Sequence, residues 1–209
     1  MAKLVHIQAS PRGSRSASQA VASCFIESYL ATHAGDTVDA LELWRTDLPE
    51  INGTMLDAAY AVKHGRPHSP EQFHVWQAIV RIADHFKSAD KYLLSLPMWN
   101  FSIPYKLKHY IDLLVHRGLT FSFTPEEGYR GLVTGKPLIA VCARSGAYGP
   151  GSGAEGWDQQ GKYLDHLFGF IGFTEIRKIL VEPTEAMPTS KQATVAAASR
   201  QATEMAKNF

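Results

Sequence analysis

Short apolar runs alternate with amphipathic stretches along the whole chain, and this alternation limits the possible folds more than any other feature. Residues 4–9, 37–43, 90–96, 136–143 and 174–181 are short and rich in Val, Ile and Leu. Between them, residues recur at helical spacing: Ala20, Val21, Cys24, Phe25 and Tyr29; then Phe73, Trp76, Val80, Ala83 and Phe86; then Leu107, Tyr110, Ile111, Leu114 and Val115. That period predicts helices. Further helices are expected over 157–170 and, rich in Ala, from Met187 to residue 207, and Pro104 suits a first helical position. Strands separated by helices pair in parallel and are covered on both faces. The expected architecture is an α/β fold with a five-stranded parallel sheet in the doubly wound order 2-1-3-4-5 and helices on both faces.

No repeat, linker or composition shift divides the 209 residues, so one domain over 1–209 is expected. Residues 44–70 interrupt the pattern. With Pro49, Asn52, Gly53, Gly65, Pro67 and Pro70 they read as a long irregular excursion with a functional or interface role. Residues 120–131 carry Phe121, Phe123 and Tyr129 around an expected turn at 125–128.

Charge and composition exclude several classes. Lys and Arg number 21 against 20 Asp and Glu, which gives no support to a nucleic-acid or anionic-membrane partner. No run is long enough to span a bilayer. The start lacks a signal-peptide pattern, and Cys24 and Cys142 fit no metal spacing, so a cytoplasmic protein with reduced thiols is expected. His64, His68 and His74 lie in a Pro-rich stretch without helical register and read as surface residues, so no metal site is expected. Ser152 lies in Gly151-Ser152-Gly153, which is not a nucleophile elbow. Asp112 and His116, four apart on one helix, read as a local pair.

Chemistry concentrates in three loops, each at the carboxyl end of a strand. Ser10, Ser14, Ser16 and Ser18 follow the first strand beside Arg12 and Arg15, at a helix N-terminus where free N–H groups and the helix dipole favour an anion such as phosphate. Only Gly13 is present, so this is neither a Walker loop nor a dinucleotide fingerprint, and a solvated turn with a Ser cap is the competing reading. After the third strand come Pro97, Met98, Trp99, Asn100 and Phe101, an aromatic surface broken by one amide. An Asn can donate to and accept from the edge of a planar heterocycle, although large apolar residues more often serve as core. After the fourth strand come Ala143, Arg144, Ser145 and Gly146, whose backbone could approach a ligand closely. In the doubly wound order the first and third strands flank the switch point, so the loops would converge on one crevice.

With these residues assembled, the chain resembles the FMN-dependent NADH-azoreductases, flavodoxin-like NAD(P)H:quinone oxidoreductases of bacteria. The matching segments are residues 10–18, Pro97-Met98-Trp99-Asn100-Phe101, Leu107-Lys108-His109-Tyr110-Ile111-Asp112, Gly118-Leu119-Thr120-Phe121, Gly131-Leu132-Val133-Thr134-Gly135-Lys136 and Phe168-Gly169-Phe170-Ile171-Gly172. The resemblance implies a flavodoxin-like fold with FMN bound and NADH or NADPH as donor. By position, Ser10, Ser16, Ala17 and Ser18 would hold the FMN phosphate. Pro97, Met98, Trp99, Asn100 and Phe101 would line the ring and ribityl chain, and Ala143, Arg144, Ser145 and Gly146 would face the pyrimidine edge. Trp99 stands where Tyr is frequent, Ala17 where Gln is common, and Ala143-Arg144-Ser145-Gly146 where Ser-Arg-Gly-Gly is usual. The resemblance also implies quinone or azo acceptors, reduced in a ping-pong cycle, and a homodimer with sites at its interface. Phe101, Phe121 and Phe123 are the candidates for the acceptor pocket, with Phe121, Phe123 and residues 44–70 the candidates to close the partner's site. No catalytic acid is named, since water can supply the protons. A non-enzymatic flavodoxin-type electron carrier is the alternative.

Overall fold

The longest apolar runs become the strands buried on both faces. In the computed structural model, which describes residues 1–185 and 188–209, β1 (Lys3–Gln8), β3 (Lys91–Pro97) and β6 (Pro137–Ala143) form the centre of a five-stranded parallel sheet. The half-exposed strands β2 (Thr37–Glu42) and β7 (Glu175–Val181) take its edges, giving the order β2-β1-β3-β6-β7. A two-stranded antiparallel hairpin, β4 (Phe121–Thr124) and β5 (Gly128–Gly131), stands apart from this sheet between β3 and β6 in the chain. Its turn falls where Pro125 and Gly128 signalled one, although its arms are too short to read as strands.

Alternation along each strand divides the core in two. Leu4, Leu93, Ile139 and Val141 pack with Val21, Phe25 and Tyr29 of α1 (Ala17–Thr32) and Ala198 and Ala202 of α6 (Pro188–Ala206). Val5, Ile7, Leu94, Leu96 and Ala140 pack on the opposite face against α3 (Pro70–Lys87), α4 (Tyr105–Leu114) and α5 (Gln159–Ile171). The expected start of the final helix at Met187 lies outside the described residues. Among the described residues no helix is long and apolar enough to cross a membrane.

The stretch 44–70 is not irregular throughout. It contains α2 (Gly53–Lys63), whose first turn is capped by Asn52 Oδ1 accepting from the Met55 N–H at 3.1 Å. Met55, Ala58 and Ala61 form its buried stripe. That stripe is short and mostly alanine, so the surrounding Pro and Gly masked it in the sequence.

Two of the family-like segments interlock. Gly131 ends the hairpin against the C-terminus of α5, where Gly172 caps the helix at φ 118°. A Cβ at Gly131 would fall 2.3 Å from the Gly172 nitrogen, and one at Gly172 would fall 3.1 Å from the Val133 carbonyl oxygen. The Val133 N–H donates to the Ile171 carbonyl at 2.9 Å and closes the junction. Backbone cannot yield here as a flexible side chain would. Gly131→Ala should therefore cost about 3 kcal/mol or more, a fall in melting temperature of roughly 6–12 °C for a chain of this size, readable by thermal denaturation. Gly53, whose Cβ would meet nothing within 4 Å and whose φ is not positive, is the control for a merely local glycine effect.

Candidate functional site

Parallel pairing brings three strand ends level. Gln8 is in register with Ser95, and Pro97 with Ala143. The ladder continues past the strands, because Ala9 N–H donates to Ser95 O at 2.9 Å and Met98 N–H to Ala143 O at 2.7 Å. Between these ends opens a cavity of about 400 Å³ lined by Ser10, Arg12, Arg15, Ser16, Ala17, Pro97, Met98, Trp99, Ala143 and Ser145, with Thr184, Glu185 and Lys191 on its far wall.

The first wall is a helix start. A single 3-10 turn over Gly13–Arg15 leads into α1, and Ser16 caps it by accepting from the Gln19 N–H at 3.4 Å. The N–H groups of Ala17 and Ser18 then have no helix carbonyl to donate to, and with Arg12 and Arg15 they make a seat for an anion. Ser18 itself is fully buried with its hydroxyl 3.1 Å from that of Ser16, so it supports this wall from behind.

The second wall is a strained turn. Trp99 N–H donates to Ser102 O at 3.0 Å and Ser102 N–H to Trp99 O at 2.9 Å, while Asn100 and Phe101 both adopt positive φ, 45° and 68°. Asn tolerates this region, but a bulky residue there costs free energy that the surroundings must hold. Three outside groups do so. Gln160 Nε2 donates to Pro97 O at 2.9 Å, Gln159 N–H donates to Phe101 O at 3.1 Å, and the Phe101 ring packs on Trp157 with centroids 5.1 Å apart.

The structure redistributes the expected site residues. Asn100 and Phe101 are outside the cavity lining. Asn100 opens instead onto an adjoining groove with Trp99, which belongs to both. Gly146 sits under Tyr148, whose ring also meets Phe101. Arg144 is corrected most. Its side chain is buried in ion pairs with Asp158 and Glu182 and does not face the cavity, so it is no direct ligand of a bound molecule. Phe121 and Phe123 do not join Phe101 in one pocket. They line a separate cavity of about 440 Å³ with Tyr60, Trp76, His116 and Arg117, because the hairpin docks on the α5 end through Gly131. Asp112 is paired with Lys108 at 2.6 Å rather than with His116. The sequence reading missed Thr184, Glu185 and Lys191, which only the tertiary fold brings to this cavity; the sole local signal was polar residues after the last strand.

Over residues 2–206 the chain matches the family of the flavodoxin-like fold. It belongs to that family, among the FMN-dependent NADH:quinone oxidoreductases: it is 49% identical to the one from Nitratidesulfovibrio vulgaris over 100% of both chains, and 44% identical to the one from Desulfotalea psychrophila over 100% of this chain and 98% of that relative. Among solved structures, an azoreductase from Bacillus anthracis superposes with a TM-score of 0.90 at 29% identity over 100% of both chains. An FMN-dependent NADH-azoreductase from the same organism, in complex with FMN, superposes with a TM-score of 0.86 at 29% identity over 99% of this chain and 100% of that one.

A polar string, buried at its His6–Ser95 end, runs below the first loop. Gln19 Nε2 donates to Gln8 Oε1 at 2.7 Å, Gln8 Nε2 lies 3.4 Å from His6 Nδ1, and His6 Nε2 lies 3.0 Å from Ser95 Oγ. His6 is 3% exposed, and its burial holds the imidazole down at about 4, against an ordinary 6.5. The unfolded chain therefore takes up a proton near pH 6.5 that the native chain refuses until about pH 4. His6 thus favours the fold fully above pH 6.5, and about 3 kcal/mol is lost as the pH falls to about 4. Urea titrations at pH 7, 5.5 and 4 should show this loss, and His6→Gln should flatten it. An equally steep loss in the variant would assign the acid sensitivity elsewhere.

Proposed function

We propose that this chain is an FMN-dependent NADH:quinone oxidoreductase that also cleaves aromatic azo compounds reductively. One observation carries the reading: Ser10, Ser16, Arg12 and Arg15 at a helix start, Met98 and Trp99, and Ser145 line one cavity at the carboxyl ends of β1, β3 and β6. Relatives of full length that carry this activity in their names support it.

The donor set fits the cofactor. Ser10, Ser16, the N–H groups of Ala17 and Ser18, and Arg12 would hold the phosphate, where hydroxyls, amides and a guanidinium suit a dianion. Met98 and Trp99 would cover the flat ring and exclude water from one side. The N–H groups of Ser145 and Gly146 would serve the pyrimidine edge, stabilising negative charge there as an oxyanion hole does. Bound there, FMN would supply two-electron redox chemistry between NADH and an acceptor, which in this reading take turns at one site in a ping-pong cycle. Asn100, in the adjoining groove with Trp99, would orient the ring and its partner molecule through its amide. The protein works as a homodimer in this reading, with Phe121 and Phe123, which line a different cavity from this chain's own Phe101, closing the partner's site.

Purified protein should be yellow, or become so with FMN and stay so after desalting. Anaerobic NADH should bleach it, and a quinone should restore the colour. A chain that stays colourless overturns the reading, and bleaching only by an external reductase makes it an electron carrier. Asn100→Gly removes the amide but keeps the positive φ, so it should weaken FMN retention about tenfold with no loss of apo-protein melting temperature. Trp99→Ala should likewise lower retention more than apo stability. Equal losses of both would assign these two exposed residues to holding the turn rather than the cofactor.

A further inference from the structure

The most heavily bonded side chain at the site is one the cavity does not touch. The Arg144 side chain is 0% exposed. Its Nε donates to Gln160 Oε1 at 3.0 Å, its Nη2 to Asp158 Oδ2 at 2.9 Å and its Nη1 to Glu182 Oε2 at 3.2 Å. Each partner has a second task in the walls of the crevice. Gln160 holds the Pro97 carbonyl. Asp158 Oδ1 caps α5 by accepting from the Gly161 N–H at 2.7 Å. Glu182 accepts from the N–H groups of Tyr148 at 3.1 Å and Gly149 at 2.7 Å. Two glycines leave room for these carboxylates: a Cβ at Gly149 would fall 2.5 Å from Glu182 Oε1, and one at Gly161 would fall 2.6 Å from Asp158 Oδ2. The cluster thus joins the ends of β3, β6 and β7 to the start of α5, directly behind the Ser145–Gly146 edge.

We infer that this cluster, on the FMN reading above, both fixes residues 145–149 and sets the redox potential of the bound cofactor through its charges. Reduction by NADH transfers two electrons and one proton as a hydride, NAD+ leaves, and the cofactor gains one negative charge. A guanidinium behind the edge favours that added charge and a carboxylate opposes it, in a setting where solvent screens little. Arg144 and Glu182 therefore act in opposite senses on the potential, although both hold the same loop. They are positioning residues, since neither lines the cavity.

Anaerobic redox titration of bound FMN against a reference dye tests this, with FMN dissociation measured alongside. Glu182→Gln should raise the two-electron potential and Arg144→Gln should lower it. Each shift should be on the order of tenfold in the ratio of reduced to oxidised cofactor, about 30 mV. Arg144→Lys keeps the charge but not the forked contacts, so it should hold the potential near wild type while weakening FMN retention. Shifts of the same sign in Glu182→Gln and Arg144→Gln, or no shift, overturn the electrostatic role. If Arg144→Gln does not fold, Glu182→Gln and Arg144→Lys decide: a raised potential in the first with none in the second supports the inference, and any other pair of results overturns it. A wild-type chain that retains no FMN is scored first, and overturns the functional reading together with this one.

Discussion

The site depends on the parallel ladder joining β1, β3 and β6. Parallel pairing makes the chain leave every strand at the same rim, so three loops far apart in sequence must share one edge. The main-chain bonds do not stop where the strands stop. Ala9 is tied to Ser95 and Met98 to Ala143, so the first residue of each loop is positioned by backbone rather than by side chains. Changes of side chain within the loops, such as Trp99 or Ala17, can thus alter the chemistry of the cavity while its frame stays in place.

The sheet was legible in the sequence because its central strands are buried on both faces and read as unbroken apolar runs. The loops were legible for a related reason: strand ends are easy to locate, and Ser10, Asn100 and Arg144 are polar residues directly beyond apolar ones. What was not legible came from partners supplied by the tertiary fold. Arg144 stands next to Ser145 and reads as a ligand, yet Asp158, Gln160 and Glu182 turn it inward. Phe121 and Phe123 read as pocket residues together with Phe101, and within one chain the docking of the hairpin carries them to a different cavity from Phe101. The helix α2 escaped notice because its buried stripe has little apolar contrast.

The turn at 99–102 shows how local rule and tertiary demand conflict. Two successive residues at positive φ call for Gly or Asn, and the second is Phe. Conformations of this kind cost on the order of 1–3 kcal/mol each and persist only where neighbours over-determine them. Gln159 and Gln160 at the start of α5, with Trp157 in the short turn just before it, supply that restraint. The start of α5 therefore braces both the strained turn and, through Asp158, the Arg144 cluster, so the two walls of the crevice share one support.

The contact between Gly131 and Gly172 has a consequence for how such a scaffold can diversify. The base of the hairpin is held where nothing larger than hydrogen fits, while the tip residues Pro125, Glu126 and Glu127 are exposed and only Gly128, at φ 70°, is held there by its turn conformation. Insertions and exchanges at the tip can reshape the aromatic surface carried by Phe121, Phe123 and Tyr129 without disturbing the sheet. The fold thus separates a part whose aromatic surface can be re-decorated from an anchor point that cannot change, and the second keeps the geometry of the molecule while the first varies.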